Sequence, residues 1–111
     1  SLGRYALSSP HNPGEVNKNI AMGNSSLLHL QDGDHNKAIG EHTLNTLSIG
    51  SANIAIGYSA GANKQFLDTN TIIGHLAYSA TSSIHSSNNV VFGHQALYSY
   101  WGLFWILFCF R

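Results

Sequence analysis

Asn53-Ile54-Ala55-Ile56-Gly57-Tyr58-Ser59-Ala60 decides how this 111-residue chain is read, because it recurs. The same frame returns as Asn19-Ile20-Ala21-Met22-Gly23, Asn36-Lys37-Ala38-Ile39-Gly40, Asn70-Thr71-Ile72-Ile73-Gly74 and Asn89-Val90-Val91-Phe92-Gly93. Its leading Asn comes back at intervals of 17, 17, 17 and 19 residues. Three residues past each Gly stands a small side chain: Ser26, Thr43, Ala60, Ala77 and Ala96. The residue after it is usually large, as in Leu27, Leu44, Tyr78 and Leu97. Gly3-Arg4-Tyr5-Ala6-Leu7 fits the second half of the unit, so a partial copy occupies residues 1–18. A period of 17 is too short for a repeat built on a pair of helices and suits one coil of a β-solenoid.

Local chemistry agrees. Each unit holds one run of three or four strand formers that ends at Gly and is bounded by Asn or Ser, the pattern of strands and corners. Gly interrupts every unit, and no three-turn window carries an unbroken apolar face, so helices are poorly supported. The expected fold is all-β: a parallel β-solenoid of about five 17-residue coils over residues 1–97. Met22, Ile39, Ile56, Ile73 and Phe92 are expected to stack as the apolar ladder that fills the coil. Ala21, Ala38, Ala55, Ile72 and Val91 then face the other way and pack closely, against a neighbouring chain. Gly23, Gly40, Gly57, Gly74 and Gly93 are expected at corners needing positive φ or close backbone approach. Asn19, Asn36, Asn53, Asn70 and Asn89 are expected to bond at turns and to ladder between coils. One aliphatic per coil makes a thin core against an ordering cost of about 1–2 kcal/mol per residue, so a second buried face, and hence a homotrimer, is expected.

The eight-residue matches Asn53–Ala60 and Asn70-Thr71-Ile72-Ile73-Gly74-His75-Leu76-Ala77 resemble the head repeats of trimeric autotransporter adhesins and the N-x-A-I-G repeats of bacteriophage tail fibres. The resemblance covers roughly residues 1–97, most of the chain. It implies a left-handed β-roll that is trimeric, non-enzymatic and extracellular, on a bacterial surface or a phage virion tail. It also implies a rigid rod used for attachment, with a host-surface receptor or glycan as partner. The adhesin repeats usually run shorter than 17 residues, so the corners here are longer. Asp32, Asp34, Lys64 and Gln65, in those corners, are the expected contacts with such a partner.

A rival reading uses the same residues. Ile39-Gly40-Glu41-His42-Thr43, Ile49-Gly50-Ser51-Ala52-Asn53 and Ile56-Gly57-Tyr58-Ser59-Ala60 are similar to the hexapeptide unit of left-handed β-helix acyltransferases, trimeric enzymes that use a His as general base. His42, His75 or His94 would serve. Hexapeptide enzymes, however, need an apolar anchor every sixth residue, and Gly61-Ala62-Asn63-Lys64-Gln65-Phe66-Leu67-Asp68 does not keep that beat. The chain is therefore expected not to be an enzyme and to carry no cofactor.

Seven histidines against ten charged residues is a clear bias. His75 and His94 occupy the same slot after Gly in neighbouring coils, which makes them the candidates for a transition-metal site. The same slot holds Arg4, Asn24, Glu41 and Tyr58 elsewhere, and no H-x-H or H-x-x-x-H pair occurs, so no metal is expected. Asp32-Gly33-Asp34 opens like a calcium loop, but Lys37 and Thr43 stand where an EF-hand needs Gly and Glu. Five basic residues balance five acidic ones, leaving no footprint for nucleic acid or an anionic membrane surface. The lone Cys109 supports neither an internal disulfide nor a cysteine-based zinc site.

From Tyr98 the repeat gives way to Tyr98-Ser99-Tyr100-Trp101-Gly102-Leu103-Phe104-Trp105-Ile106-Leu107-Phe108-Cys109-Phe110-Arg111. Its apolar run is about half of what crosses a bilayer, so no membrane insertion is expected. Residues 98–111 are read as an out-of-frame or prematurely ended segment, with an interfacial aromatic anchor or a hydrophobic end cap as the alternatives. The start at Ser1, without a basic and apolar leader, is read as that of an excerpt.

Overall fold

The computed structural model describes residues 2–7, 18–79 and 86–97. Seven short strands appear: β1 (Ile20–Met22), β2 (Lys37–Ile39), β3 (Ile54–Ile56), β4 (Leu67–Asp68), β5 (Thr71–Ile73), β6 (Ser86–Ser87) and β7 (Val90–Phe92). There is no helix among the described residues. β1, β2, β3, β5 and β7 form one sheet in that order, and every neighbouring pair is parallel. The register sets each strand on its counterpart one repeat later: Ala21 on Ala38, Ala38 on Ala55, Ala55 on Ile72, Ile72 on Val91. Between them the chain runs round a second wall, where β4 pairs in parallel with β6 and where Ile49 bridges Asp32 on one side and Phe66 on the other. This is a β-solenoid of about four turns. Leu2 adds a further rung by bridging Met22, with Leu2 N donating to Ala21 O at 2.8 Å. The expectations for residues 8–17 and 98–111 lie outside the described residues.

The direction of the core is the reverse of the expected one. Ala21, Ala38, Ala55, Ile72 and Val91 are fully buried inside the coil. Met22, Ile39, Ile56 and Phe92 point outward, with Ile56 still 38 % exposed, and Ile73 is only half-buried. The cause is volume. The far walls already supply Leu27, Leu30, Leu44, Leu47 and Leu67, all buried, and an interior so filled leaves the strand room for a methyl group. Where the wall loses bulk the strand regains it. Gly61 stands in the slot that Leu27 and Leu44 hold in earlier coils, and a Cβ on it would lie 3.1 Å from Ile72 Cδ1. The large Ile72 of β5 thus occupies the space the missing leucine vacates.

The asparagines do more than stack. Asn36 Nδ2 donates to Gly50 O at 2.7 Å and Asn53 Nδ2 to Leu67 O at 2.6 Å, each reaching 14 residues ahead to the end of its own circuit. Asn19 makes the same bond to Gly33 O at 2.8 Å. Each Asn Oδ1 then accepts from the backbone N–H of the next Asn, as Asn53 Oδ1 does from Asn70 N at 3.0 Å. One amide therefore closes a circuit and fixes it to the next. In the fourth circuit, two residues longer, Asn70 Nδ2 bonds Ser86 O, 16 residues ahead, so the extra length lies within the loop that this bond closes.

At the corner after each strand the glycine is needed for space. Gly57 has φ +131°, and a Cβ there would lie 2.5 Å from Gly74 O in the coil beyond. Two further left-handed residues, such as Ser25 and Leu27 or His42 and Leu44, complete the corner and turn the leucine inward.

Candidate functional site

Strand alternation leaves two side chains per strand facing solvent. They form two columns: Ile20, Lys37, Ile54, Thr71 and Val90, and beside them Met22, Ile39, Ile56, Ile73 and Phe92. Eight of these ten are apolar, and the strip runs about 19 Å over five strands spaced about 4.8 Å apart. Ile20 (44 %) and Phe92 (46 %) keep nearly half their surface in water. The strip is contiguous and apolar on a protein otherwise rich in Asn and Ser. Lys37 is its one charge.

Beside the strip, at the corner following each Gly, a second column carries rings. Tyr58 and His75 stack at 5.2 Å and 20°, and His75 and His94 at 5.1 Å and 27°. His42, one slot further along its own coil, meets Tyr58 edge-on at 6.1 Å. Its Nε2 lies 3.4 Å from Glu41 Oε1, a contact with both side chains well exposed and so of little energetic weight. The ring stack follows from register: parallel pairing places residues of one slot over each other, and the slot after Gly is outward in every coil. His75 and His94 were legible as stacked from their spacing, and Tyr58, which the sequence places in the same slot, continues the stack.

The four corner residues expected to touch a partner divide. Asp32 and Gln65 are exposed on the wall opposite the apolar strip, two circuits apart, and Asp34 is half-buried. Asp34 N donates to Ser51 Oγ at 3.0 Å, while Gln65 O accepts from Ser48 N and Ile49 N. Lys64 does not belong with them. It is only 2 % exposed, because it stands in the inward slot that Leu30 and Leu47 hold in the preceding coils. Its Nζ sits 4.5 Å from the centre of the Tyr78 ring, and desolvation pulls its pKa below the ordinary lysine value. The Tyr78 hydroxyl in turn bonds Ser86 Oγ at 2.5 Å, and Ser86 Oγ accepts from Asn89 Nδ2 at 2.6 Å. The third and fourth circuits therefore carry Lys64 and Tyr78 in slots where the earlier ones carry leucine.

Among the described residues no group of three or more His, Cys, Asp and Glu side chains is gathered as a metal centre. Compared with protein-family models, curated proteins and solved structures, the chain matches none. Its functional reading rests on its own sequence and fold.

Proposed function

We propose that this chain is a segment of a structural fibre, a non-catalytic rod that assembles as a homotrimer and serves attachment on a bacterial surface or a phage tail. The observation that carries this is the outward apolar strip of β1, β2, β3, β5 and β7. A rod whose face repeats every coil presents the same side chains to a copy of itself along its whole length, so copies align in register around an axis parallel to the rod. The face that the sequence suggested for the neighbouring chain, that of Ala21, Ala38 and Ala55, is inside the coil; its place is taken by the Ile and Met columns. The number three comes from the resemblance to adhesin head repeats and tail-fibre repeats, and so does the extracellular setting.

In this reading the stacked coils give stiffness, and the corners, among them Asp32, Asp34 and Gln65, meet a host receptor or glycan. Sedimentation equilibrium of the full chain tests it. The expected result is a trimer that Ile39→Glu and Ile56→Glu together dissociate without loss of the β spectrum; a folded monomer in the unsubstituted chain would refute it.

A further inference from the structure

The ring column supplies chemistry that a structural rod does not need. His75 and His94 are both exposed and stand one above the other on backbone that the ladder holds rigid: Gln95 N donates to His75 O at 2.8 Å, and Leu76 N to Tyr58 O at 2.8 Å. Among the described residues neither imidazole is engaged in a hydrogen bond or ion pair, and their ring contacts are only with each other and with Tyr58. Glu41, the acidic residue of this column, is two circuits away from His75 beside His42. Two imidazoles with free nitrogens, fixed one strand spacing apart, are a bidentate arrangement.

Distances agree. Two nitrogens bound at about 2.1 Å to one ion at a tetrahedral angle stand about 3.4 Å apart. The two imidazoles, with centroids 5.1 Å apart, have to turn about χ2 to bring one nitrogen of each to that spacing. The stacked Tyr58 limits how far His75 can turn the other way.

We infer that His75 and His94 bind a divalent transition-metal ion of the zinc, nickel or copper(II) class on the outer corner of the solenoid. Imidazole nitrogen selects these ions over magnesium and calcium, which prefer oxygen. With no third His, Cys, Asp or Glu joining the pair among the described residues, water completes the shell. The inference stands whether the rod is a monomer or a trimer.

Titration calorimetry of the full chain with zinc chloride tests it, with copper(II) electron paramagnetic resonance as the second readout. The expected results are saturable zinc binding, none with magnesium, and nitrogen splitting from two equivalent imidazoles. His75→Gln and His94→Gln should each weaken zinc binding at least tenfold with the β spectrum unchanged, while His29→Gln and His42→Gln should not. Binding that survives both His75→Gln and His94→Gln, or the absence of saturable binding, would overturn it.

Discussion

Replacing Asn53 by Ala removes the amide that closes the third circuit, and its cost can be worked from the hydrogen bonds it makes. Asn53 is fully buried. Its Nδ2 donates to Asn36 Oδ1 at 2.9 Å and Leu67 O at 2.6 Å, and its Oδ1 accepts from Asn70 N at 3.0 Å and Asn70 Nδ2 at 3.1 Å. Asn70 Nδ2 keeps Ser86 O as a partner, and Asn36 Oδ1 still accepts from the backbone N–H of residue 53, so neither is orphaned. Leu67 O loses its amide donor, and the Asn70 N–H is left buried without an acceptor. A stranded buried group costs about 1–3 kcal/mol, and the three remaining bonds about 0.5–1.5 kcal/mol each, which together gives roughly 5 kcal/mol. That is a large share of a domain stability of about 5–15 kcal/mol. Asn19→Ala provides the internal scale: Asn19 is half-buried and makes two such bonds in place of four, one to Gly33 O and one from Asn36 N, so one stranded N–H and one lost bond give about 3 kcal/mol. Urea unfolding followed by circular dichroism, at one fixed protein concentration, measures both. Equal costs for the two substitutions, or a loss below about 1 kcal/mol for Asn53→Ala, would refute the claim that the amide holds the circuit shut.

Four further substitutions probe the coil and its outer strip. Ala55→Ile forces a side chain into a coil already filled by Leu44 and Leu67 and should cost about 1–3 kcal/mol, whereas Ile56→Ala on the outer strip should leave the secondary structure intact; thermal melts of the two compare them. Gly57→Ala places a Cβ 2.5 Å from Gly74 O at φ +131°, for which about 2–4 kcal/mol is expected in the same unfolding assay. Lys64 has a folded pKa lowered by burial, so between that value and the ordinary lysine value the unfolded chain binds more protons than the folded one. Stability therefore rises as pH rises through that window. Lys64→Met should raise the unfolding midpoint at neutral pH and abolish this rise; an identical pH profile for the variant would count against the buried ammonium.

Much of this architecture was readable in the sequence because each element makes its bond with its own counterpart one repeat on. A 17-residue recurrence of Asn and Gly is a direct image of the amide ladder and of the corner where one coil's glycine meets the next coil's carbonyl. What the strands alone could not give was the sense of inside and outside. Alternation divides Ile54-Ala55-Ile56 into two faces, and the habit of placing the larger aliphatic inward chose the wrong one. The deciding residues, Leu44, Leu47 and Leu67, lie on other walls ten or so residues away in the chain, and only the closed coil shows that they leave room for Ala alone. Lys64 was misplaced for a related reason. Its corner looked polar and exposed, yet its 17-residue counterparts, Leu47 and Leu30, carried the signal that the slot faces inward. The paired Gly61 and Ile72 show the same volume rule acting across two coils.

Methyl NOE spectroscopy on the alanine-labelled chain reaches the stacking itself most directly. Cross-peaks are expected between Ala21 and Ala38 and between Ala38 and Ala55, residues that parallel in-register pairing holds about 4.8 Å apart at the backbone. Cross-peaks placing those alanines opposite residues of antiparallel partners, with none between the three methyls, would contradict the stacking.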